Sequence, residues 1–409
     1  MRLFSTTALA VAIAMGATTV ATIAPQPALA KEKAPSLKLS EVVRKPLAEA
    51  QEALKNNDTA TAQAKINEAK GLAKTEDDKF MVYQMLYDVT NKTTKDTKVQ
   101  QEAIGGMLQT GKVPAEAQPN YYVVLGQLAF NNKDFTTADQ ALSQAIKLNA
   151  SDPVIYVLLA ETKNQLGKPA EAVALVQQVA DAGEAKGTPV PQDWIARGIA
   201  IGSKAKLAAP VTKLSYNWLK AYPTQSNWRD SLLIYRDSHQ LDSDAGLDLM
   251  RLQRAAKALR GERDYVELAE ATYIRFPNEA KTLIDEGVAS GALNLAQNRG
   301  AKEIQGLAAG RVAGDKASLK KTASTGRAAL ATADAFASYG DTASAIEMYR
   351  KALTMSDVDA NVVNTRLGAT LVAAGQKEEA KKIFTAITGP RADLAAYWVI
   401  LIDHPPAAS

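Results

Sequence analysis

Cysteine is absent from all 409 residues of the chain, and only two histidines occur, His239 and His404. The absence of cysteine excludes a disulfide framework, thiol catalysis, iron–sulfur clusters and cysteine zinc sites. Two histidines are also too few for a multi-histidine metal centre. We therefore predict that the protein uses no metal and no other cofactor.

Neither sign of charge predominates, since 48 Lys and Arg stand against 44 Asp and Glu. So small an excess over this length argues against a nucleic-acid partner. The residues are 46% hydrophobic and 22% charged, a balance that argues against wholesale disorder and for a globular or solenoid protein.

The segment 1–30 predicts a cleavable export signal. Arg2 is its only charge, an apolar run follows, and Ala28-Leu29-Ala30 has the small-x-small pattern that a signal peptidase recognises. The apolar run is short and rich in Ala and Thr, whereas a membrane-spanning helix needs roughly 20 predominantly apolar residues. We therefore expect cleavage after Ala30, no membrane span afterwards, and a periplasmic protein, a location that suits a large chain without cysteine.

The strongest pattern in the chain is internal repetition at a constant offset. Pro119–Gly126 aligns with Pro153–Ala160, and the aromatic, leucine and small positions coincide. The segments that follow place small and apolar residues at spacings of four and three, which lie on one face of a helix: Ala138, Leu142 and Ala145, then Ala172, Val176 and Val179. Polar breaks at 131–134 and 165–168 separate the paired helices. The pattern therefore predicts helix pairs.

This unit resembles the tetratricopeptide repeat, a helix–turn–helix motif of about 34 residues, which matches the offset between Pro119 and Pro153. Small residues in that motif let paired helices approach closely, and aromatic and leucine side chains fill the space between pairs. The pattern recurs near the C-terminus in two sets of positions: Ala333, Phe336, Gly340, Ala345, Tyr349 and Ala352, then Leu367, Gly368, Leu371, Gly375, Ala380, Phe384 and Ile387. The resemblance implies an all-α solenoid of antiparallel helix pairs wound into a superhelix.

The strength of this pattern along the chain predicts its domain organisation. After the signal peptide at 1–30, we expect an N-terminal repeat array at 31–185 and degenerate repeats at 186–297. A Gly/Ala/Lys-rich irregular helical connector follows at 298–325, then a C-terminal repeat pair with a capping helix at 326–409. Repeated glycine in the connector predicts short, poorly packed helices joined by turns, with a hinge as the alternative.

The whole chain also resembles a group of exported, uncharacterised repeat proteins of proteobacteria. The resemblance rests on Ala50–Leu54, the turn at Gly111–Pro114, the block from Trp194 to Trp228, and Leu247–Arg260. It implies a location in the cell envelope and no particular activity.

Segments that suggest catalysis are incomplete. Gly106–Val113 has the glycine and lysine spacing of a phosphate-binding loop but lacks the Ser or Thr that would hold magnesium, so a helix end is predicted. Two Ser-x-x-Lys matches, at 203–206 and 318–321, have no Lys-Thr-Gly after them. The polar stretch around His239 predicts a turn before a helix capped by Ser243 or Asp244. We therefore predict that the protein is not an enzyme, unless a pocket of convergent polar groups lies in 237–325.

The inner surface of the expected superhelix is the predicted binding site. Its first helices would present alternating amide and apolar side chains, which suit an extended peptide or a partner helix: Asn120, Val123, Gln127, Phe130 and Asn131, then Val157, Glu161 and Asn164, and Ile195 and Ile199 in the next repeat. The leading hypothesis is a non-catalytic scaffold or adaptor that binds a protein or peptide of the cell envelope.

The alternative hypothesis is a glycan-binding or small-ligand-binding protein of the envelope. Four aromatic residues could stack on a sugar, although aromatic residues in a solenoid commonly form its core: Tyr216, Trp218, Tyr222 and Trp228.

Overall fold

The structure, a computed structural model, describes residues 37–320 and 322–407. The predicted signal peptide lies outside these residues. Throughout the described part of the chain the regular elements are helices, without a strand, and consecutive helices pack in pairs. The predicted fold class, an all-α solenoid of helix pairs, is confirmed.

The described residues divide into two compact units, with the boundary between Asn132 and Lys133. The first unit contains five described helices: α1 Glu41–Lys55, α2 Thr59–Leu72, α3 Glu76–Lys92, α4 Thr97–Gln109 and α5 Gln118–Asn131. In this unit α1 packs on α2, α3 on α4, and α4 on α5.

The second unit contains fifteen described α-helices. Its helices are α6 Phe135–Lys147, α7 Pro153–Gln165, α8 Pro169–Ala185, α9 Gln192–Lys204, α10 Ala208–Ala221, α11 Gln225–Ser238, α12 Ser243–Ala255, α13 Glu262–Thr272, α14 Pro277–Ala289, α15 Arg299–Ser318, α16 Gly326–Ser338, α17 Thr342–Leu353, α18 Ala360–Ala373, α19 Lys377–Thr385 and α20 Ala392–Asp403. A short 3₁₀ turn, Gly389–Arg391, precedes α20.

Short polar turns end one helix of a pair and start the next. Between α16 and α17, Gly340 adopts the left-handed conformation at φ +74°, and the Asp341 carboxylate accepts a hydrogen bond from the Ser344 backbone N–H. Glycine adopts that conformation without steric cost, and aspartate satisfies an unpaired donor of the new helix. Gly111 is also left-handed, at φ +66°, directly after α4. The phosphate-loop-like segment is therefore a helix end, as predicted.

Neighbouring helices pack closely against several glycines. A Cβ atom on Gly368 of α18 would lie 2.6 Å from the Phe384 ring of α19. On α9, a Cβ on Gly198 would lie 2.8 Å from Val176 Cγ1 and 2.9 Å from Leu214 Cδ1. The small positions of the repeat pattern thus set the distance between helices.

In the second unit, the C-terminal helices also pack against helices far away in sequence. One hydrophobic core runs from Leu219 to Ile402, and within it α20 packs on α10 and α18 on α12. The ring of Tyr397 lies 4.9 Å from that of Tyr216 and 5.5 Å from that of Tyr235, both with edge-to-face geometry. This core joins residues on both sides of the predicted connector.

The expectation of short helices in the connector was wrong, because α15 is one continuous helix of 20 residues. Asn298 caps its first turn, and Ala301, Ile304 and Ala308 bury one face, packed with α14. A Cβ atom on Gly306, Gly310 or Gly314 would meet no atom within 4 Å, so these glycines are not required for close packing. Burial of one face compensates for the low helix propensity of glycine.

Two glycine-to-alanine substitutions distinguish close packing from helix propensity. Gly368→Ala should lower the free energy of unfolding by about 1–3 kcal/mol, because the new methyl group overlaps the Phe384 ring. In Gly306→Ala, in α15, the new methyl group meets no atom within 4 Å. This substitution should raise the free energy of unfolding by about 0.5–1 kcal/mol, because alanine favours the helix more than glycine does. Urea unfolding followed by circular dichroism measures both values. Equal effects of the two substitutions would contradict the packing described for α18 and α19.

Candidate functional site

The predicted binding residues fall on both units. In the first unit they all lie on α5: Asn120 and Asn131 are exposed, whereas Val123, Gln127 and Phe130 are half-buried. Asn120 contributes to a small surface depression of about 20 Å³.

This depression lies between two successive first helices, α3 and α5. Ile104 and Met107 of α4 are its buried residues, and six side chains of α3 and α5 complete its lining. We call these six the α3–α5 face: Gln84, Tyr87 and Asp88 from α3, with Asn120, Tyr121 and Val124 from α5.

The α3–α5 face combines one carboxylate with two phenols. Burial raises the pKa of Tyr87 and of Tyr121, and the negative charge of Asp88 raises both further. Desolvation by its neighbours raises the pKa of the Asp88 carboxyl, against the lowering effect of Lys92. Amide, phenol and carboxylate groups beside an apolar floor can bind both the backbone and the side chains of a peptide.

The sequence analysis named Asn120 as a candidate but did not name the α3 residues that line the same depression. Tyr87 precedes Tyr121 by the same offset that separates Pro119 from Pro153, so extending the repeat alignment one unit towards the N-terminus would have located it. Gln84 and Asp88 lie within one turn of Tyr87 on the same helix.

In the second unit, Glu161 of α7 is bound by Arg197 of α9. The guanidinium makes a two-point contact with both carboxylate oxygens at 2.9–3.1 Å, and Gln165 Nε2 donates to Glu161 Oε1 at 2.8 Å. Asn164 lies next to the same carboxylate, and Val157 packs partly into the core. Any partner of this surface would have to compete with the Arg197–Glu161 ion pair.

The predicted exposure of Ile195 and Ile199 was wrong. Both belong to the core around α8, α9 and α10 and are 1% and 3% exposed. They occupy the packed side of α9, whereas Arg197 lies on its open side.

The aromatic residues proposed for sugar stacking are packed into the protein. Trp228 is fully buried, and Trp218 and Tyr222 pack partly against the core around α9 and α10. Tyr216 packs against Tyr397 and donates a hydrogen bond to Asp393 Oδ1 at 2.9 Å. Their arrangement favours the core interpretation over a sugar platform.

Sequence reasoning also missed a group of buried charges in the second unit. Arg366 of α18 is 5% exposed and donates to three carboxylates: Asp248 at 3.0 Å, Asp334 at 2.8 Å and Asp244 at 2.9 Å. Asp244 was predicted as a possible cap of α12, but Asp242 caps that helix and leaves Asp244 available to Arg366. Arg391, beside α20, donates to the second oxygen of Asp248 at 2.5 Å.

Two further ion pairs continue this group along α12. Arg251 makes two hydrogen bonds to Glu279, at 3.0 and 2.7 Å, and Arg254 makes two to Glu286, at 3.0 and 2.5 Å. Burial by itself would raise the pKa of Glu279, but the Arg251 guanidinium holds that pKa below its ordinary value. We call the residues of this group the arginine cluster: Arg251, Arg254, Arg366 and Arg391 with Asp244, Asp248, Glu279, Glu286 and Asp334.

The arginine cluster borders a cavity of about 160 Å³. The cavity draws residues from α12 and α14, so the segment 237–325 does contribute convergent polar groups. Each carboxylate that lines it, however, is bound by an arginine, which opposes its use as a general base. This geometry suits binding better than proton transfer.

The described helices are each too short or too polar to cross a membrane. Among residues 37–320 and 322–407, no group of three His, Asp or Glu side chains is arranged to hold a metal ion.

Consecutive helix pairs at a regular repeat length define an α-helical repeat protein. Residues 119–152 match the family model of the tetratricopeptide repeat. The chain therefore contains a tetratricopeptide repeat at 119–152, where its sequence pattern predicted one.

Solved structures with some likeness to the chain are too distant to inform its function. They include those titled "Functional Characterization of Pseudomonas Aeruginosa pilF" (14% identity, 65% of this chain and 97% of that chain, TM-score 0.24) and "Crystal Structure of the Yeast Tom70" (10% identity, 88% of each chain, TM-score 0.24). A third is titled "Structure of Naa15/Naa10 bound to HypK-THB" (14% identity, 86% of this chain and 70% of that chain, TM-score 0.19). A comparison with curated proteins finds no match.

Removal of Arg366 should strongly destabilise the second unit. Arg366→Leu leaves Asp248 and Asp334 buried without their common partner, which should cost about 3–5 kcal/mol. The control is Arg350→Ala, which breaks the exposed pair with Glu379 and should cost about 0–1 kcal/mol. Urea unfolding of both variants measures the difference. A loss of less than about 1 kcal/mol in Arg366→Leu would show that the buried contacts are not formed.

Stability should fall in acid partly through Glu279. Its pKa is lowered in the folded protein, so its contribution is present above the ordinary value of about 4.3 and is lost as the pH falls through the folded-state value. Glu279→Gln should therefore be less stable than the wild type at pH 7 and lose less stability on acidification. Urea unfolding at neutral and acidic pH tests this, and equal acid-dependent losses in the two proteins would refute it.

Proposed function

We propose that the protein is a non-catalytic scaffold of the cell envelope that binds a segment of a protein partner on the α3–α5 face. The fold supports this proposal because tetratricopeptide repeats present successive first helices as one continuous surface. The observation that carries it is the depression in which Asp88 and two tyrosines stand beside an apolar floor.

The chemistry of the α3–α5 face matches that of a peptide. Gln84 and Asn120 carry amide groups that can both donate to and accept from a peptide backbone. Ile104 and Met107 offer a small apolar contact between them. Such a combination suits an extended segment or one face of a helix.

Charge at this face favours a basic side chain on the partner. Asp88 lines the same depression as Tyr87 and Tyr121, and its negative charge adds to the effect of burial in raising the pKa of both phenols. A Lys or Arg of the partner could pair with the carboxylate and lie over a tyrosine ring. We therefore expect the bound segment to carry a basic residue next to an apolar one.

The proposed location rests on the sequence of the N-terminal segment. Export through a cleaved signal peptide would put the protein in the periplasm, where its partner would be a protein or peptide of the envelope. Recovery from the periplasmic fraction with Lys31 as the first residue would agree with this location.

A photo-crosslinking amino acid in place of Asn120 tests the binding face in cells. We expect a reproducible adduct with an envelope protein from Asn120 but not from Ala64, an exposed position on α2. Combining the crosslinker with Gln84→Ala and Asp88→Asn should weaken binding by about 1–2 kcal/mol, because polar contacts at the centre of the face are lost. Mass spectrometry identifies the adduct.

Two results would contradict the proposal. One is the absence of any adduct from Asn120 in a folded, exported protein. The other is an adduct whose yield does not change when Gln84 and Asp88 are substituted.

A further inference from the structure

The cavity beside the arginine cluster is separate from the α3–α5 face and independent of the function proposed for it. It lies within the second unit and is lined by residues of α12, α14, α16, α17, α18 and α20. Its volume of about 160 Å³ is well above the roughly 10–15 Å³ that one water molecule needs. The space can therefore admit a small organic molecule.

The carboxylate acceptors around this cavity are already occupied. Both oxygens of Asp334 accept a bond, one from Tyr349 Oη at 2.7 Å and the other from Arg366. The oxygens of Asp248 accept from Arg366 and Arg391, and those of Glu279 accept from Arg251. These three carboxylates line the cavity, and each of their oxygens has a strong donor.

Donors around the cavity, in contrast, have capacity left. Trp398 lines the cavity, is 3% exposed, and its indole Nε1 has no hydrogen-bond partner among the described residues. Arg251 and Arg254 bind Glu279 and Glu286 through Nε and Nη2. Their Nη1 groups are not used in these contacts, and Arg251 Nη1 lies 3.8 Å from the nearest carboxylate oxygen of Asp248.

Two of these donors lie on a common wall. Arg251 and Arg254 both line the cavity, are three residues apart on α12 and therefore share one face of that helix. An unpaired buried donor, such as the Trp398 indole N–H, costs free energy comparable to a lost hydrogen bond. A molecule rich in acceptors would therefore be stabilised here.

The remaining wall is apolar. Ala337, Ala369 and Ala373 line the cavity together with the Trp398 ring, which stacks on Phe384 at 5.6 Å between ring centroids. An inorganic anion would leave this surface without a contact. A ligand with a carbon body would cover it.

We propose that this cavity binds a small organic oxyanion. Its carboxylate or phosphate group accepts hydrogen bonds from Arg251 and Arg254, and its carbon body contacts Trp398 and the alanines. Because the arginine cluster sets four arginines against five carboxylates, its net charge does not attract an anion, and hydrogen bonding supplies the attraction.

Isothermal titration calorimetry of the full chain without its signal peptide tests this proposal with four probes. Benzoate and phenyl phosphate carry the two candidate head groups on one ring, benzamide is the neutral counterpart of benzoate, and acetate lacks the ring. We expect saturable binding of benzoate or phenyl phosphate, with benzamide and acetate each at least tenfold weaker. The tighter of the first two identifies the head group.

Variants locate the binding. Arg254→Gln removes one of the two proposed donors and should lower the affinity for the probe at least tenfold. Arg254 is partly exposed, so its loss should leave the protein folded. Arg350→Gln, at an exposed ion pair outside the cavity lining, should leave the affinity unchanged. Trp398→Phe removes the indole donor and should weaken binding while keeping the ring contact.

Three outcomes would overturn the proposal. The first is no saturable binding of benzoate, phenyl phosphate or acetate at tens of millimolar, which would mean that the cavity holds only water. The second is binding of benzamide as tight as that of benzoate. The third is an affinity that does not respond to Arg254→Gln although circular dichroism shows a folded variant.

Discussion

A single guanidinium organises the C-terminal half of the second unit. Arg366 of α18 contacts Asp244 and Asp248 on α12 and Asp334 on α16. A buried arginine is tolerated only when its charge is neutralised and its donors are satisfied. The contacts that satisfy Arg366 join α18 to α12 and α16. The cavity is lined by residues of these three helices and of α14, α17 and α20.

Two classes of polar contact hold the helices of the second unit together. One class joins successive repeats, as in Glu161–Arg197 and Glu184–Lys220, each 36 residues apart. The other joins distant helices, as in Asp248–Arg366, 118 residues apart, and Tyr216–Asp393, 177 apart. A solenoid is expected to form only the first class, because each repeat contacts its neighbours. The second class makes the C-terminal repeats part of the same core as α10–α12.

The two candidate sites depend on different features of the repeat. The α3–α5 face uses side chains that successive first helices leave open to solvent, so it can accommodate a polypeptide. The cavity uses charged side chains that distant helices enclose, so it can accommodate only a small molecule. Close packing at glycine positions fixes the distance between neighbouring helices, and both the α3–α5 face and the cavity depend on that distance.

The sequence alone determined the helix pairs, their period and many of their ends. It did so because helical periodicity, glycine turns and aspartate caps act over short stretches of chain. It also made Asn120 a candidate binding residue, and one more step of the repeat alignment would have added Tyr87 beside it. Tertiary structure alone decided that α15 is continuous, that Ile195 is buried and that Arg197 forms an ion pair with Glu161. The tertiary structure also brought the residues of the arginine cluster together. Charged residues are usually exposed, and contacts between distant parts of the chain were needed to bring these ones together.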